Sequence, residues 1–322
     1  MKTELLDEAV AAIAAADEIA LACHVGPDGD ALGSMLGFGL AARRAGKKVV
    51  ASFGTPFVVP DAYRFLDIDL LVPPNQVPPT PQVLVTFDAG SVDRLGELAK
   101  VASKAGTVIV IDHHVTNSGF GHVNLIDPTA AATAELVVLV LDLLEWPIDE
   151  PIATALLTGL VTDTGRFQYS NTTPRTLRFA ARMVEAGARP EIIGQHVYEE
   201  TPFGYLHAAG AVLGRAELDA ERRLVYSVLT RDDMSNAGIG YGDTDPLIDA
   251  VRTATESDVA LLVKEVDGGR VKASLRSRGR VDVGAIAVSL GGGGHHNAAG
   301  FTLEGSAEDA VQAVRSRLES VE

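Results

Sequence analysis

The segment VIVIDHHV, residues 108–115, joins a strand pattern to three adjacent polar residues. Its first four residues are apolar and β-branched, which is typical of a buried strand. The run then ends in Asp112, His113 and His114, three adjacent polar side chains that each need a partner or solvent. These three residues are therefore either solvated loop residues or groups that point into a site.

The segments around this stretch alternate between strand and helix patterns. Apolar periodicity predicts a helix at 4–17, a strand at 18–23, a helix at 30–45, strands at 47–53 and 82–87, a helix at 92–104 and a strand at 107–111. Residues 131–200 are largely helical in pattern. Strands that alternate with helices predict an α/β fold, a mostly parallel sheet with flanking helices.

A different pattern begins near residue 205. Three alternating stretches, RRLVYSVLT, DVALLVKEV and RVKASLRSR, follow one another, with a turn DGG at 267–269 between the last two. This pattern predicts a second, smaller α+β domain. We therefore divide the chain into a first domain at 1–187, a helical linker at 188–210 and a C-terminal domain at 211–322.

Composition and charge restrict the function. The chain of 322 residues has a formal charge of −16, which argues against a stable complex with long nucleic acid because such binding depends on phosphate neutralisation. A short anionic substrate in a local basic pocket stays open. The single cysteine excludes an intramolecular disulfide, and no segment resembles an export signal or a membrane span. We expect a cytoplasmic protein with no membrane partner.

Polar residues follow three of the predicted parallel strands. The segment HVGPDGD supplies His24, Asp28 and Asp30, the strand at 82–87 is followed by Asp88, and the VIVI strand is followed by the DHH residues. Open α/β sheets bind their ligands at this edge. Taken singly, each residue could instead be a turn or helix-cap residue, and so could Asp163 in the segment VTDTG.

The coincidence of these groups favours a metal site. Several carboxylates and imidazoles on one sheet edge would repel and desolvate one another unless cations were present. Mixed oxygen and nitrogen donors suit Mn²⁺ better than Ca²⁺. The number of donors is enough for two ions about 3.5–4 Å apart, a spacing that clamps a phosphate. The sequence therefore predicts a dinuclear centre for phosphoryl transfer.

The motifs HVGPDGD, TFDAG, VIDHHV and VTDTG, in this order, resemble the four motifs of the DHH phosphoesterase superfamily. The segment GGGGHHNAAGF at 291–301 resembles the glycine-rich signature of its associated C-terminal domain. Length and arrangement are most similar to the bacterial nanoRNase and pAp phosphatase subfamily. The resemblance implies an Mn-dependent exonuclease that hydrolyses short RNA or DNA oligonucleotides, and a phosphatase that converts 3′-phosphoadenosine 5′-phosphate (pAp) to AMP.

The resemblance also implies roles for individual residues. One ion would be held by His24, Asp28 and Asp88. A second ion would be held by Asp30, Asp88, His113 and Asp163, so that Asp88 bridges the two. Asp112 would orient a neighbouring imidazole, and His114 would contact the scissile phosphate or protonate the leaving oxygen.

Substrate-binding residues are expected mainly in the C-terminal domain. Arg276 and His295 match substrate-binding positions of the subfamily, and the backbone of Gly293 and Gly294 could approach a phosphate closely. Two further arginines complete the predicted set, Arg278 and Arg166. A solvated sheet edge for Arg276 and Arg278 and a flexible turn for the glycines are the open alternatives.

Three other functions stay open on the sequence alone. The same metal motifs occur in cyclic di-AMP phosphodiesterases and in RecJ-type exonucleases of long single strands, and a non-catalytic nucleotide sensor could share the scaffold. The residues do not rank pAp, dinucleotides and cyclic di-AMP as substrates. Relatives in the family imply a homodimer.

Overall fold

The computed structural model describes residues 3–319. The chain divides between Glu199 and Glu200 into two compact units, called unit 1 and unit 2. The segment predicted as a linker, residues 188–210, contains this division. Unit 1 holds a parallel sheet with flanking helices, and unit 2 holds a mixed sheet with its own helices, so the predicted fold class is confirmed.

Unit 1 is built on five parallel strands. The strands are β1 (Glu18–Cys23), β2 (Lys48–Phe53), β3 (Val83–Phe87), β4 (Thr107–Asp112) and β5 (Val123–Ile126). The α-helices are α1 (Thr3–Ala15), α2 (Gly29–Arg44), α3 (Ala99–Ala102), α4 (Thr133–Leu143), α5 (Glu150–Asp163), α6 (Pro174–Glu185) and α7 (Pro190–Gly194). Short 3₁₀ segments lie at 61–63, 74–76 and 92–98, and one π-helical turn lies at 195–199.

The strand order of unit 1 explains where a site can form. The order is β2-β1-β3-β4-β5, and every pair is parallel. The chain leaves β1 toward β2 on one side and returns to β3 on the other, so the strand order reverses between β1 and β3. Such a reversal opens a crevice beyond the carboxyl ends of the strands. The neighbours β1, β3 and β4 therefore bring their carboxyl ends together.

Two predicted details of unit 1 differ from the structure. The segment 92–104 is no continuous α-helix, because Gly96 has φ of 59° and interrupts a 3₁₀ segment before the short α3. The strand β5 was not predicted, since VNLI has only four residues and follows a loop with no clear periodicity.

Helices α2 and α5 pack very closely against each other. The close contacts are at glycines of α2 that are spaced four residues apart. A Cβ atom at Gly33 would lie 2.3 Å from the carbonyl oxygen of Ala155, and one at Gly29 would lie 2.5 Å from the side chain of Thr162. Residues four apart share one face of a helix, so these glycines form a flat contact surface. The contact joins the first turn of α2 to the last turn of α5, where Asp163 lies.

Unit 2 contains a six-stranded mixed sheet. Its strands are β6 (Glu217–Asp219), β7 (Leu224–Leu229), β8 (Val259–Val266), β9 (Arg270–Ser277), β10 (Gly293–His295) and β11 (Ala298–Glu304), in the order β10-β11-β9-β8-β7-β6. Its α-helices are α8 (Phe203–Gly214), α9 (Arg231–Ala237), α10 (Leu247–Val251), α11 (Val283–Ser289) and α12 (Ala307–Leu318).

The three alternating stretches predicted for unit 2 are β7, β8 and β9. Strands β8 and β9 are antiparallel, and the predicted turn between them contains Gly268 and Gly269 with φ of 80° and 70°. The left-handed conformation of both residues is the reason that glycine occupies this turn. Over residues 3–319, no helix has the length and apolar character needed to cross a bilayer.

Candidate metal centre

The polar residues that follow the strands of unit 1 meet at one edge of the sheet. His24 follows β1, Asp88 follows β3, and Asp112 is the last residue of β4, directly before His113. All four side chains are buried, with His113 the most exposed at 7%. Because β1, β3 and β4 are neighbours, these side chains come from adjacent positions along one edge.

A first ligand group consists of His24, Asp28 and Asp88. The Nε2 atom of His24 lies 3.7 Å from an oxygen of Asp28 and 3.6 Å from an oxygen of Asp88. The Nδ1 atom of the same ring bonds the carbonyl of Val25 at 3.0 Å, so Nε2 faces the carboxylates. One ligand atom from each of the three residues lies within 4.8 Å of the others, a separation that allows them to hold an ion.

Asp28 is the N-cap of α2 and also faces His24. Its Oδ1 atom accepts hydrogen bonds from the backbone N–H groups of Asp30 and Ala31 at the start of α2, which makes it the helix N-cap. Its Oδ2 atom faces His24. The cap therefore holds the carboxylate with Oδ2 toward His24.

A second ligand group consists of Asp30, Asp88, His113 and Asp163. The Nε2 atom of His113 lies 3.0 Å from Asp163, 3.6 Å from Asp88 and 3.9 Å from Asp30. Asp88 presents Oδ2 to His24 and Oδ1 to His113, so its carboxylate lies between the two groups. This position is the one that a bridging ligand would require.

Asp88 has a backbone conformation that few residues adopt. Its φ is 54°, in the left-handed region, where aspartate is tolerated better than most side chains. Its N–H group donates to the carbonyl of Ile111 in β4. Backbone strain of this kind concentrates at functional sites. Here the turn directs the carboxylate of Asp88 back over the sheet edge.

Asp112 and His114 form a pair next to Asp88, whose Oδ1 atom lies 3.5 Å from Nδ1 of His114. The carboxylate of Asp112 is fully buried and accepts hydrogen bonds from His114 Nδ1 at 2.7 Å, from the backbone of His113 at 2.8 Å and from Asn117. A carboxylate bonded to Nδ1 fixes the tautomer and the direction of an imidazole ring. The side chain of His114 is 23% exposed, so this oriented ring is also accessible.

The charges of the centre fit a cation site. Burial lowers the pKa of His24 and His113, but hydrogen bonds and charges from the neighbouring aspartates outweigh it and hold both pKa values well above the usual range. Burial and the charges of Asp88 and Asp163 raise the pKa of Asp30 well above its usual range. Without cations the centre would therefore bind protons, and a metal would replace them. Mixed carboxylate and imidazole donors suit a borderline divalent ion.

Sequence reasoning missed the residues that support the ligands. Thr133 and Ala134 at the start of α4 donate hydrogen bonds to Asp30 and Asp88, and Asn171 donates to the carbonyl of Asp163. Two of these four donors are backbone N–H groups, which carry no residue signature. The available signal was a threonine at the start of a predicted helix, a position where threonine is ordinary.

Unit 2 contains all the predicted substrate-binding residues except Arg166. The guanidinium of Arg276, near the end of β9, lies 3.8 Å from an oxygen of Asp249 and is about a quarter exposed. Arg278 lies beyond the end of β9, and its guanidinium donates to three carbonyls that follow α10, those of residues 252–254. These bonds satisfy carbonyls of the turn after α10, so they favour a structural function for Arg278.

The glycine-rich segment is part of the sheet. Gly293 and Gly294 belong to β10, and a Cβ atom at Gly294 would lie 2.5 Å from the carbonyl oxygen of Ala298 in β11. Gly294 also has φ of 138°. Close strand pairing is therefore one reason for glycine at 294, whereas a Cβ at Gly293 meets open space. His295, the last residue of β10, is exposed.

Arg166 lies in unit 1, shortly after α5. Its φ is 61°, and its guanidinium lies 4.6 Å from the centre of the Tyr198 ring. This cation–π contact fixes the side chain against the π-helical turn.

Comparisons with known proteins identify the family of the chain. Residues 18–160 match the DHH family, N-terminal domain, and residues 222–321 match the DHHA1 domain. The chain is 37% identical over 312 residues to the bifunctional oligoribonuclease and PAP phosphatase NrnA of Thermus thermophilus, covering 93% of this chain and 90% of that one. It is 28% identical to a protein of the same name from Mycoplasma genitalium, covering 94% of each chain.

A solved structure shows the same fold across the whole chain. The exopolyphosphatase-related protein from Bacteroides fragilis superposes with a TM-score of 0.91 and 24% identity, covering 99% of this chain and 96% of that one. The two domain matches and the similarity to the Thermus thermophilus protein over nearly its full length lead to one conclusion: the chain belongs to the DHH family of phosphoesterases and carries a DHHA1 domain.

Proposed function

We propose that this protein hydrolyses short oligonucleotides to mononucleotides and pAp to AMP, using two divalent metal ions at the sheet edge of unit 1. The observation that carries the proposal is the pair of ligand groups that share Asp88. The most similar curated relatives reported above are named as oligoribonucleases and pAp phosphatases, which supports this substrate class.

We propose different roles for the residues of unit 1, which would either hold the metal ions or contact the phosphate. Bound divalent ions would supply positive charge for the phosphate and activate water. The six ligands, His24, Asp28, Asp30, Asp88, His113 and Asp163, would hold those ions. His114, with Nδ1 bonded to Asp112, would contact the scissile phosphate or give a proton to the leaving oxygen. Mn²⁺ is the metal we propose, because the donors mix imidazole nitrogen with carboxylate oxygen.

In unit 2 we propose that Arg276, His295 and the glycine pair Gly293 and Gly294 bind substrate phosphates. The guanidinium of Arg276 is partly exposed and can bind an anionic phosphate. Arg278 is the weaker candidate of the two predicted arginines, because three carbonyls already occupy its guanidinium. Arg166 would contribute only if it left the Tyr198 ring.

We also propose the length of the substrate, the cellular compartment and the oligomeric state of the enzyme. The formal charge of −16 opposes stable binding to long nucleic acid, which favours substrates of a few nucleotides. The buried free Cys23 is consistent with a reducing cytoplasm. We further propose a homodimer, as the family resemblance implies.

The proposal is tested by measuring product release from a matched panel of substrates. The panel contains pAp, a 5′-phosphorylated diadenylate, cyclic di-AMP, and RNA and DNA strands of increasing length, each with Mn²⁺ or with excess chelator. We expect the highest kcat/KM on the shortest linear substrates and no turnover with chelator. Processive degradation of long DNA would replace the proposal with a RecJ-type function, and nucleotide binding without turnover would replace it with a sensor.

A further inference from the structure

A short segment before and within the start of α4 contacts the second ligand group. This segment, AAATA at residues 130–134, is buried at every position. The carbonyl of Ala130 accepts a hydrogen bond from Nδ1 of His113 at 3.2 Å. The hydroxyl of Thr133 donates to Oδ1 of Asp88 at 3.0 Å, which is the oxygen that faces His113. One segment therefore fixes two ligands from two different strand ends.

The same segment also holds Asp30. The backbone N–H groups of Thr133 and Ala134 donate to the two oxygens of Asp30 at 2.6 and 3.0 Å. The first N–H groups of a helix have no partner within the helix, and the N-cap residue of α4, Ala132, has no side chain that could supply one. Asp30 from α2 caps α4 in its place, so the position of α4 determines the position of this carboxylate.

The fourth ligand is connected through one asparagine. The side-chain nitrogen of Asn171 donates to the carbonyl of Ala131 at 3.1 Å and to the carbonyl of Asp163 at 3.1 Å. The segment thus contacts Asp30, Asp88 and His113 directly and reaches Asp163 through Asn171. Within residues 3–319, no hydrogen bond joins the segment to His24 or Asp28, the two ligands that belong to the first group alone.

An ion pair with a buried carboxylate anchors the segment one residue further on. Glu135 is fully buried and accepts a hydrogen bond from Thr176 at 2.6 Å, while its other oxygen lies 2.9 Å from Arg175. Arg175 also lies 3.3 Å from Asp127, just after β5. These contacts tie the first turn of α4 to α6 and to the sheet edge, so the segment has little freedom to move.

We propose that the 130–134 segment holds the residues of the second ligand group in fixed positions relative to one another. Within this segment, Thr133 is the positioning residue that sets the affinity of one of the two ions. The inference rests on the proposed function, because it requires a dinuclear centre. Thr133 does not touch the first group except through the Oδ1 side of the shared Asp88. The two ions should therefore respond differently when its hydroxyl is removed.

Calorimetric titration of metal-free protein with Mn²⁺ tests the inference. Wild type is compared with Thr133→Val, which keeps the shape and the backbone N–H but removes the hydroxyl, and with Thr133→Ser, which restores it. Thr158→Val is the matched control, because Thr158 is equally buried and its hydroxyl donates only to a backbone carbonyl within α5. The melting temperature of each metal-free variant is measured in parallel.

We expect two Mn²⁺ ions per chain in wild type, in Thr133→Ser and in Thr158→Val. In Thr133→Val one ion should bind as in wild type and the other about 10–100-fold more weakly, the usual effect of losing an outer hydrogen bond to a ligand. Two unchanged affinities, or equal weakening of both ions, would overturn the inference and leave the proposed function intact. Fewer than two ions in wild type would overturn the dinuclear centre and the inference with it.

Discussion

Replacing Asp88 with asparagine should lower kcat more than about 100-fold on every substrate that the wild type hydrolyses. Asp88 is the one carboxylate placed between the two ligand groups, with one oxygen toward His24 and the other toward His113. An amide cannot offer two anionic oxygens. Loss of an outer partner of a ligand already costs about 10–100-fold, so loss of the shared ligand should cost more. Steady-state rates at saturating Mn²⁺ measure the effect.

Asparagine is the appropriate substitution at this position because the backbone of Asp88 has φ of 54°, a conformation that asparagine also adopts readily. The melting temperature of the metal-free variant should stay near that of wild type, while the stabilisation by Mn²⁺ should decrease. Asp93→Asn, an exposed carboxylate a few residues later, is the control and should have wild-type rates. Substantial turnover by Asp88→Asn would refute the bridging role.

Gly33→Ala should destabilise unit 1 by about 1–3 kcal/mol, the usual cost of overpacking a close contact. The new Cβ would lie 2.3 Å from the carbonyl oxygen of Ala155, so α2 and α5 would have to separate. Denaturant unfolding followed by the fluorescence of Trp146 measures this effect. The Trp146 ring lies 5.9 Å from Phe38 in α2, so it reports directly on the helix that carries the substitution.

Gly37→Ala provides a matched comparison in the same helix. A Cβ at this position would lie 2.8 Å from the side chain of Leu156, which can rotate away, whereas the carbonyl of Ala155 cannot. We therefore expect Gly37→Ala to cost clearly less than Gly33→Ala. Equal costs, or a stabilising effect of Gly33→Ala, would contradict the backbone contact between the two helices.

The sequence was sufficient to predict which polar residues meet at the sheet edge of unit 1, for a simple topological reason. Apart from Asp163, which ends the helix α5, each candidate ligand comes after a strand with a clear apolar pattern, and adjacent parallel strands present their carboxyl ends at one edge. The turn at Gly268 and Gly269 was predictable for a comparable reason, because the DGG signal is local. Predictions of this kind depend only on neighbours along the chain or on strand direction.

Other features could not be predicted because they depend on contacts distant in sequence. The N–H groups of Thr133 and Ala134 reach Asp30 across more than a hundred residues, and any sequence there would offer the same donors. Arg278 looked equivalent to Arg276 by spacing, but β9 ends at Ser277 and the arginine turns toward the end of α10. The spacing of glycines in α2 was visible, but its helical partner was not.

We propose that the sheet edge of unit 1 holds two metal ions that share Asp88. Anomalous diffraction at the manganese edge, from crystals grown with Mn²⁺, locates these ions. We expect two anomalous peaks, one against His24 and Asp28 and one against His113 and Asp163, both in contact with Asp88. A single peak, or peaks that leave Asp88 without a metal, would contradict this proposal.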